Sequence, residues 1–501
     1  MTTKLIWLAV WPLTLGLSED KPYRPAIPRT WDSKAIASVQ VPLATSSASP
    51  VPASAEFYYR LPEMKIFRSY PVYAPGRERP GYSEWLRQLE PELAFDPSRL
   101  RTAEDWKRAG EAVFDAPLAS ESDPFRGIVT TELIRDPAWY LQAGIPVTRD
   151  GVFPFARYVV RTKGVVEVGS LSCGMCHTRV MPDGSIIKGA QGNFPFDRTL
   201  AFKLRAALHS SKEADTAALE REGWRFLFAA PWLRPDPLAR IENFSLAELA
   251  SVLESIPPGV LARHGTSPFS PAQVPDLIGV RERRYLDRTG LIRHRSIGDL
   301  MRYAALNQGG DDFSTYAGFV PAQLVEAPPV RYSDEQLYAL SLYLYSLQPP
   351  PNPNRESTLT RHGEAIFARE GCGGCHTPPL YTNNRLTPVS GFQPPREHSR
   401  LFDIHAVSVG TDRDLALRTR RGTGYYKVPS LKGVWYRGPF EHNGSVATLE
   451  DWFDPRRLND DYNPTAYRGF GVKARAVKGH EYGLTLPAEV KAALIAFLKT
   501  L

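Results

Sequence analysis

Two pentapeptides, Cys173-Gly174-Met175-Cys176-His177 and Cys372-Gly373-Gly374-Cys375-His376, use every cysteine in this 501-residue chain. A C-x-x-C-H run is an attachment site for c-type haem. Two thiols a turn apart each add across a vinyl group, and the following imidazole sits under the iron. A zinc half-site would need more ligands for each pair, and a redox dithiol would need a βαβ setting that neither run has. The chain therefore reads as a carrier of two covalently bound haem c groups. Cys173, Cys176 and His177 hold one, and Cys372, Cys375 and His376 hold the other, with both histidines on iron. No thiol is left over for a disulfide or a cysteine nucleophile.

The net charge of +7 is modest for this length and includes no long run of like charge, so nothing supports nucleic-acid binding. The apolar stretch 5–17 is too short for an ordinary membrane span but matches the h-region of a signal peptide over residues 1–18. The alternative is an uncleaved N-terminal anchor, and no other segment approaches a span. Export to the periplasm fits haem c, which is assembled outside the inner membrane. Residues 19–56, which include an uncharged Pro/Ala/Ser/Thr stretch at 42–55, read as an extended lead-in. The run Pro349-Pro350-Pro351-Asn352-Pro353-Asn354 cannot continue a helix and reads as a linker. It divides a first haem domain (57–348) from a second (355–501).

The two parts share one pattern. Arg108-Ala109-Gly110-Glu111-Ala112-Val113-Phe114 corresponds to Arg361-His362-Gly363-Glu364-Ala365-Ile366-Phe367, a leading helix in each. Closing helices carry Leu337, Leu340, Leu344 and Leu347 in one part and Leu494, Phe497, Leu498 and Leu501 in the other. Between them, Val274-Pro275-Asp276-Leu277-Ile278-Gly279-Val280 matches Val428-Pro429-Ser430-Leu431-Lys432-Gly433-Val434. The offset is 154 here (428 − 274) and also between Ala339 and Ala493 (493 − 339). The expected fold is mainly α: two cytochrome-c-like haem domains related by internal duplication. The first has a long insert in which Tyr158–Arg161 and Val165–Val168 form a small hairpin around Lys163-Gly164.

The sixth iron ligand decides what each haem can do. The five methionines are Met1, Met64, Met175, Met181 and Met301, none of them in the second domain. Its haem is therefore bis-histidine or lacks a sixth protein ligand. His362, His398, His405, His442 and His480 are available there. His442, beside an Asn-Gly turn, is the expected ligand, with His405 next and His362 an ordinary helix residue. Eight residues on from Val280, where the second domain has His442, the first has Arg288. Guanidinium cannot ligate iron but can stabilise an oxyanion, and Asp287 could shuttle a proton. Arg288 and Asp287 are accordingly the candidate catalytic pair of an open first haem, against solvated loop charges as the plain alternative. Met301, His209, His264 and His294 are competing ligands, whereas Met181 lies too near His177 to reach the far face.

Together with Pro439-Phe440-Glu441-His442-Asn443-Gly444-Ser445 and Thr448-Leu449-Glu450, these features resemble the di-haem cytochrome c peroxidase/MauG superfamily. The His-Asn-Gly stretch and the wide spacing of the haem motifs also resemble the bacterial rubber oxygenases. That branch uses such a histidine as second axial ligand, which the resemblance carries to His442. The resemblance implies one electron-transfer haem and one haem that activates hydrogen peroxide or dioxygen, with a redox partner protein or small electron donor. Trp435 and Tyr436 could assist electron hopping. The chain departs from the peroxidases in having no Met in the second domain. MauG-type enzymes place Tyr on iron, but Tyr425, Tyr426 and Tyr436 show no clear equivalence. The other readings are a non-catalytic di-haem electron carrier and a haem-dependent dioxygenase of an organic substrate. The sequence is silent on calcium.

Overall fold

The computed structural model describes residues 23–45, 48–123, 127–239, 241–263, 265–309, 314–316, 318–319, 330–464 and 476–501. The expected signal segment and His264 lie outside them. The chain is mainly helical with small antiparallel sheets, and helix pairs frame both C-x-x-C-H runs.

Thr102 starts the helix Ala103–Asp115: its hydroxyl accepts from the Asp105 N–H, and the Asp105 carboxylate accepts from the Thr102 N–H. The buried face, with Trp106, Ala109, Gly110, Val113 and Phe114, crosses the helix Asp334–Ser346. Ser333 and Gln336 cap that helix in the same reciprocal way. A Cβ at Gly110 would overlap the Ala339 carbonyl oxygen, so only glycine lets the backbones approach this closely. The second half follows the same plan. Ser357 caps Thr358–Arg369, which crosses Ala488–Thr500 where a Cβ at Gly363 would overlap the Ala493 carbonyl oxygen.

The expected hairpin is present, and it belongs to a larger sheet. Val152–Thr162 pairs with Val165–Ser170, placing Tyr158 opposite Val168, while Ser69–Tyr73 and Ala119–Ser120 add the outer strands. Both outer strands are too short to show a period in the sequence, and the first contains Pro71. The sheet buries Phe153 and Phe155 against Trp139 and Phe194, and it leads straight into the first haem motif.

Residues 23–56 differ from the expected extended lead-in. Asp32 caps the helix Ser33–Val39, and Trp31, 1% exposed, stacks on Tyr58 at 4.5 Å. Pro50–Pro52 pairs with Ser314–Tyr316. Low charge here reflects burial of Trp31, Val39, Val41, Leu43 and Ala48.

The halves meet along their backbones. Gln273 N–H donates to the His442 carbonyl (2.7 Å), Lys427 N–H to that of Arg288 (3.2 Å) and Arg420 N–H to that of Gly265 (2.9 Å). The proline linker is itself tied down, with Asn352 donating to the Lys499 carbonyl at 2.9 Å.

Candidate haem sites

Ser172 nucleates the first motif: its hydroxyl accepts from Met175 N–H (3.0 Å), starting the single turn Cys173–Cys176. The turn brings His177 N–H to the Cys173 carbonyl at 2.9 Å. Gly371, in the left-handed region at φ +75°, starts the second turn, and His376 N–H likewise reaches the Cys372 carbonyl at 2.9 Å. None of the four cysteines is in a disulfide.

The repeated Val-Pro segments act on these histidines. His177 Nδ1 lies 3.0 Å from the Pro275 carbonyl oxygen, and His376 Nδ1 lies 3.1 Å from that of Pro429 and 3.2 Å from that of Tyr381. A carbonyl only accepts, so Nδ1 carries the proton and Nε2 keeps its lone pair for a metal. Burial pushes the His177 imidazolium down to about 4 and lowers that of His376, keeping both rings neutral as ligation requires. The donor set fits haem c at both motifs.

A cavity of about 260 Å³ adjoins the second motif and is lined by Cys372, Cys375, His376, Trp452, His442 and His480 among others. His442, the expected sixth ligand, is 8% exposed, with its ring stacked on Tyr426 at 5.0 Å and 13°. His480, one of the five histidines available from the sequence but not singled out there, stands close to the proximal ring. Its ring centre is 6.4 Å from that of His376, and its buried Nδ1 has no hydrogen-bond partner. Both rings line the same cavity, where His376 and His480 could serve one metal. Arg457 holds His480 in place. It is fully buried and donates to the carbonyls of Gly479 (3.1 Å), His480 (2.8 Å) and Trp452 (2.8 Å). His480 itself sits at φ +49°. The signal for it was a histidine set between turn glycines, Gly479 and Gly483, in a half without methionine.

The other candidates scatter. His405 Nε2 lies 3.5 Å from Cys375 Sγ, beside the attachment thiol. His362 and His209 are exposed. His294 is engaged on both sides, by the Arg283 carbonyl at 2.7 Å and the Tyr345 hydroxyl at 2.6 Å. His398 faces the Tyr425 hydroxyl. Met301 is fully buried in the first core, and Met181 packs against Ile187 and Tyr436. Tyr426 donates to the Asp412 carbonyl, and Tyr436 donates to Asp276.

Arg288 and Asp287, expected over the first haem, part company. Arg288 lines the second cavity, where burial lowers its guanidinium to about 10, and its Nε donates to the Gln273 carbonyl at 3.3 Å. Asp287 accepts from the Tyr303 hydroxyl at 3.3 Å and pairs with Arg421 at 3.5 Å. The turn itself repeats: Asp287 at φ +70° corresponds to Glu441 at φ +64°, and Gly290 at φ +65° to Gly444 at φ +72°. Beside the first motif stands a different carboxyl, Asp197, 2% exposed and charge-coupled to Cys176 and Arg263. Burial raises it to about 7. Its Oδ2 accepts from Ala262 N–H at 3.3 Å.

No family model matches the chain. A curated cytochrome-c peroxidase of Denitromonas iodatirespirans, IdrP1, is 30% identical over 117 residues, covering 19% of this chain and 30% of that protein. The match thus spans under a third of the relative's length. Among solved structures, a xenon-pressurised hydrazine synthase of Kuenenia stuttgartiensis is similar at 16% identity and a TM-score of 0.28, over 60% of this chain and 92% of that one. A MauG-like protein associated with microbial copper homeostasis is similar at 19% identity and a TM-score of 0.20, over 35% and 62%. At those scores neither likeness carries an argument about the fold. Among the described residues no helix is long and apolar enough to cross a membrane.

Proposed function

We propose that this chain is an exported di-haem c-type oxidoreductase of the peroxidase/MauG kind, with an electron-transfer haem in 355–501 and a peroxide-activating haem in 57–348. The observation that carries this reading is the proximal arrangement. Two C-x-x-C-H histidines each have Nδ1 fixed by a proline carbonyl from one repeated segment. The alike helix crossings at Gly110 and Gly363 support an internal duplication. The partial match to a cytochrome-c peroxidase supports the reaction class.

When bound, haem supplies one-electron redox chemistry and, at an open coordination position, peroxide reduction. Cys173 and Cys176, and Cys372 and Cys375, would tether it, while His177 and His376 would present Nε2. His480 would close the second site, with Arg457 fixing its backbone and Trp452 packed on its ring at 5.2 Å. His442 would seal the same cavity against Tyr426. Near the first site, the Asp197 carboxyl would hold a proton at neutral pH, which peroxide reduction consumes.

The test is spectroscopic. The purified protein should show two haems c per chain, one low-spin and one with a high-spin ferric component that shifts on adding cyanide or peroxide. Two inert low-spin haems in every redox state would reduce the chain to an electron carrier. His480→Gly should turn the second haem high-spin; if His442→Gly does so instead, the ligand is His442.

A further inference from the structure

A second, small cavity of about 30 Å³ lies between the two proximal supports. It is lined by both Pro275 and Pro429, whose carbonyls hold His177 and His376. Arg283, Arg288, Lys427 and Arg437 surround it, and three of these, Arg288, Lys427 and Arg437, also line the large second cavity. The two spaces therefore share a cationic wall.

Negative charge matches the wall only in part: Glu441, which lines the second cavity beside Arg288, is raised to about 7 by burial and pairs with Arg457 at 3.6 Å. Asp276 approaches Arg437 only to 3.9 Å and is also engaged by the Tyr436 hydroxyl at 3.0 Å. Arg283 donates to the carbonyls of Asp276 and Ile278, and Arg437 to that of Ser430 at 2.7 Å, while Arg437 Nε is buried with no partner. Arg288 has one carbonyl contact, and Asp287 lies nearby but pairs with Arg421. Among the described residues, no hydrogen bond or ion pair reaches the Lys427 ammonium. Burial and the three guanidiniums together press it well below its ordinary range. Three guanidiniums and this ammonium are costly to hold charged away from water unless anions join them. A divalent cation is repelled from such a wall; carboxylates fit it, because guanidinium and ammonium groups are their natural donors.

We propose that Arg283, Arg288, Lys427 and Arg437 form an anion cradle that receives the carboxylate side chains of the haem in the second cavity and sets one electrostatic field for both proximal histidines. This rests on the two-haem reading. Positive charge beside a haem favours its reduced, more negative state, so the cradle holds the second haem's potential up.

The test is potentiometric titration of the haem-loaded protein, with haem counted by the pyridine haemochrome. Lys427→Met, and independently Arg288→Met should Lys427→Met fail to accumulate, are expected to keep two haems per chain and lower the second haem's midpoint. Lys427→Arg should leave the midpoint near that of the parent. Unchanged midpoints in both Met variants with two haems retained would overturn the cradle. A parent midpoint that tracks chloride or phosphate concentration would assign the wall to a free anion and also overturn it. A parent chain with fewer than two haems would instead refute the two-haem reading.

Discussion

Asp197 illustrates what a single buried carboxyl does to this protein. Burial raises its folded-state value from 3.8 to about 7, so the native chain prefers the protonated form. A group raised on folding contributes stability fully present below its unfolded value and lost as pH rises through the folded one. The window therefore runs from about 4 up to about 7. Asp197→Asn, which keeps an oxygen for the Ala262 N–H, should be more stable than the parent at pH 8 by about 1–3 kcal/mol. The difference should vanish towards pH 4. Denaturant unfolding of the haem-loaded protein at the two pH values checks this, and a pH-independent difference refutes it. At this scale the cysteines and proximal histidines were readable from the sequence because covalent attachment fixes their spacing. Asp197 and His480 were not, since each acquires its meaning from burial beside residues far away in the chain. Arg288 was reached by residue counting, and burial puts it on the wall of the second cavity, which counting alone does not show. Asp287, at φ +70°, and Glu441, at φ +64°, show that the turn is common to the two halves.

Among the elements, the helix pairs were the most legible. Ser333 and Gln336 cap the Asp334–Ser346 helix, and Leu337, Leu340 and Leu344 of its expected stripe are buried. What periodicity cannot show is how closely two helices approach. That is written instead in Gly110 and Gly363. Gly363→Ala pushes a methyl into the Ala493 carbonyl and should cost about 1–3 kcal/mol despite alanine's better helix propensity. Urea titration of the purified variant measures it, and a neutral or stabilising result would show that the crossing relaxes freely. The lead-in was misread for the opposite reason. Proline and small residues at 42–55 look like a spacer, yet nearby Trp31 and Val39 are part of the same buried cluster as Tyr58 and Leu337.

For the whole molecule, the proline run marks a boundary in the sequence more than a hinge in space. Backbone hydrogen bonds join the halves at Gln273–His442, Lys427–Arg288 and Gly265–Arg420, and Thr423 donates to the Thr289 carbonyl at 2.6 Å. Arg179, whose guanidinium burial lowers to about 10, reaches across to the Gly438 carbonyl at 2.8 Å. Two domains so joined should unfold together. Calorimetry of the haem-loaded protein should give a single endotherm, and two resolved transitions would show that the halves are thermodynamically separate.

The acceptors that orient His177 and His376 are peptide oxygens, and no codon change can delete a peptide oxygen. Alanine scanning across 274–280 or 428–434 would pass over the atoms that matter and report only damage to the turns that present them. Drift in those side chains is tolerable so long as the main-chain path survives. A direct probe must therefore alter the backbone itself, for instance an ester in place of the amide that follows Pro429, which weakens the carbonyl as an acceptor while sparing every side chain.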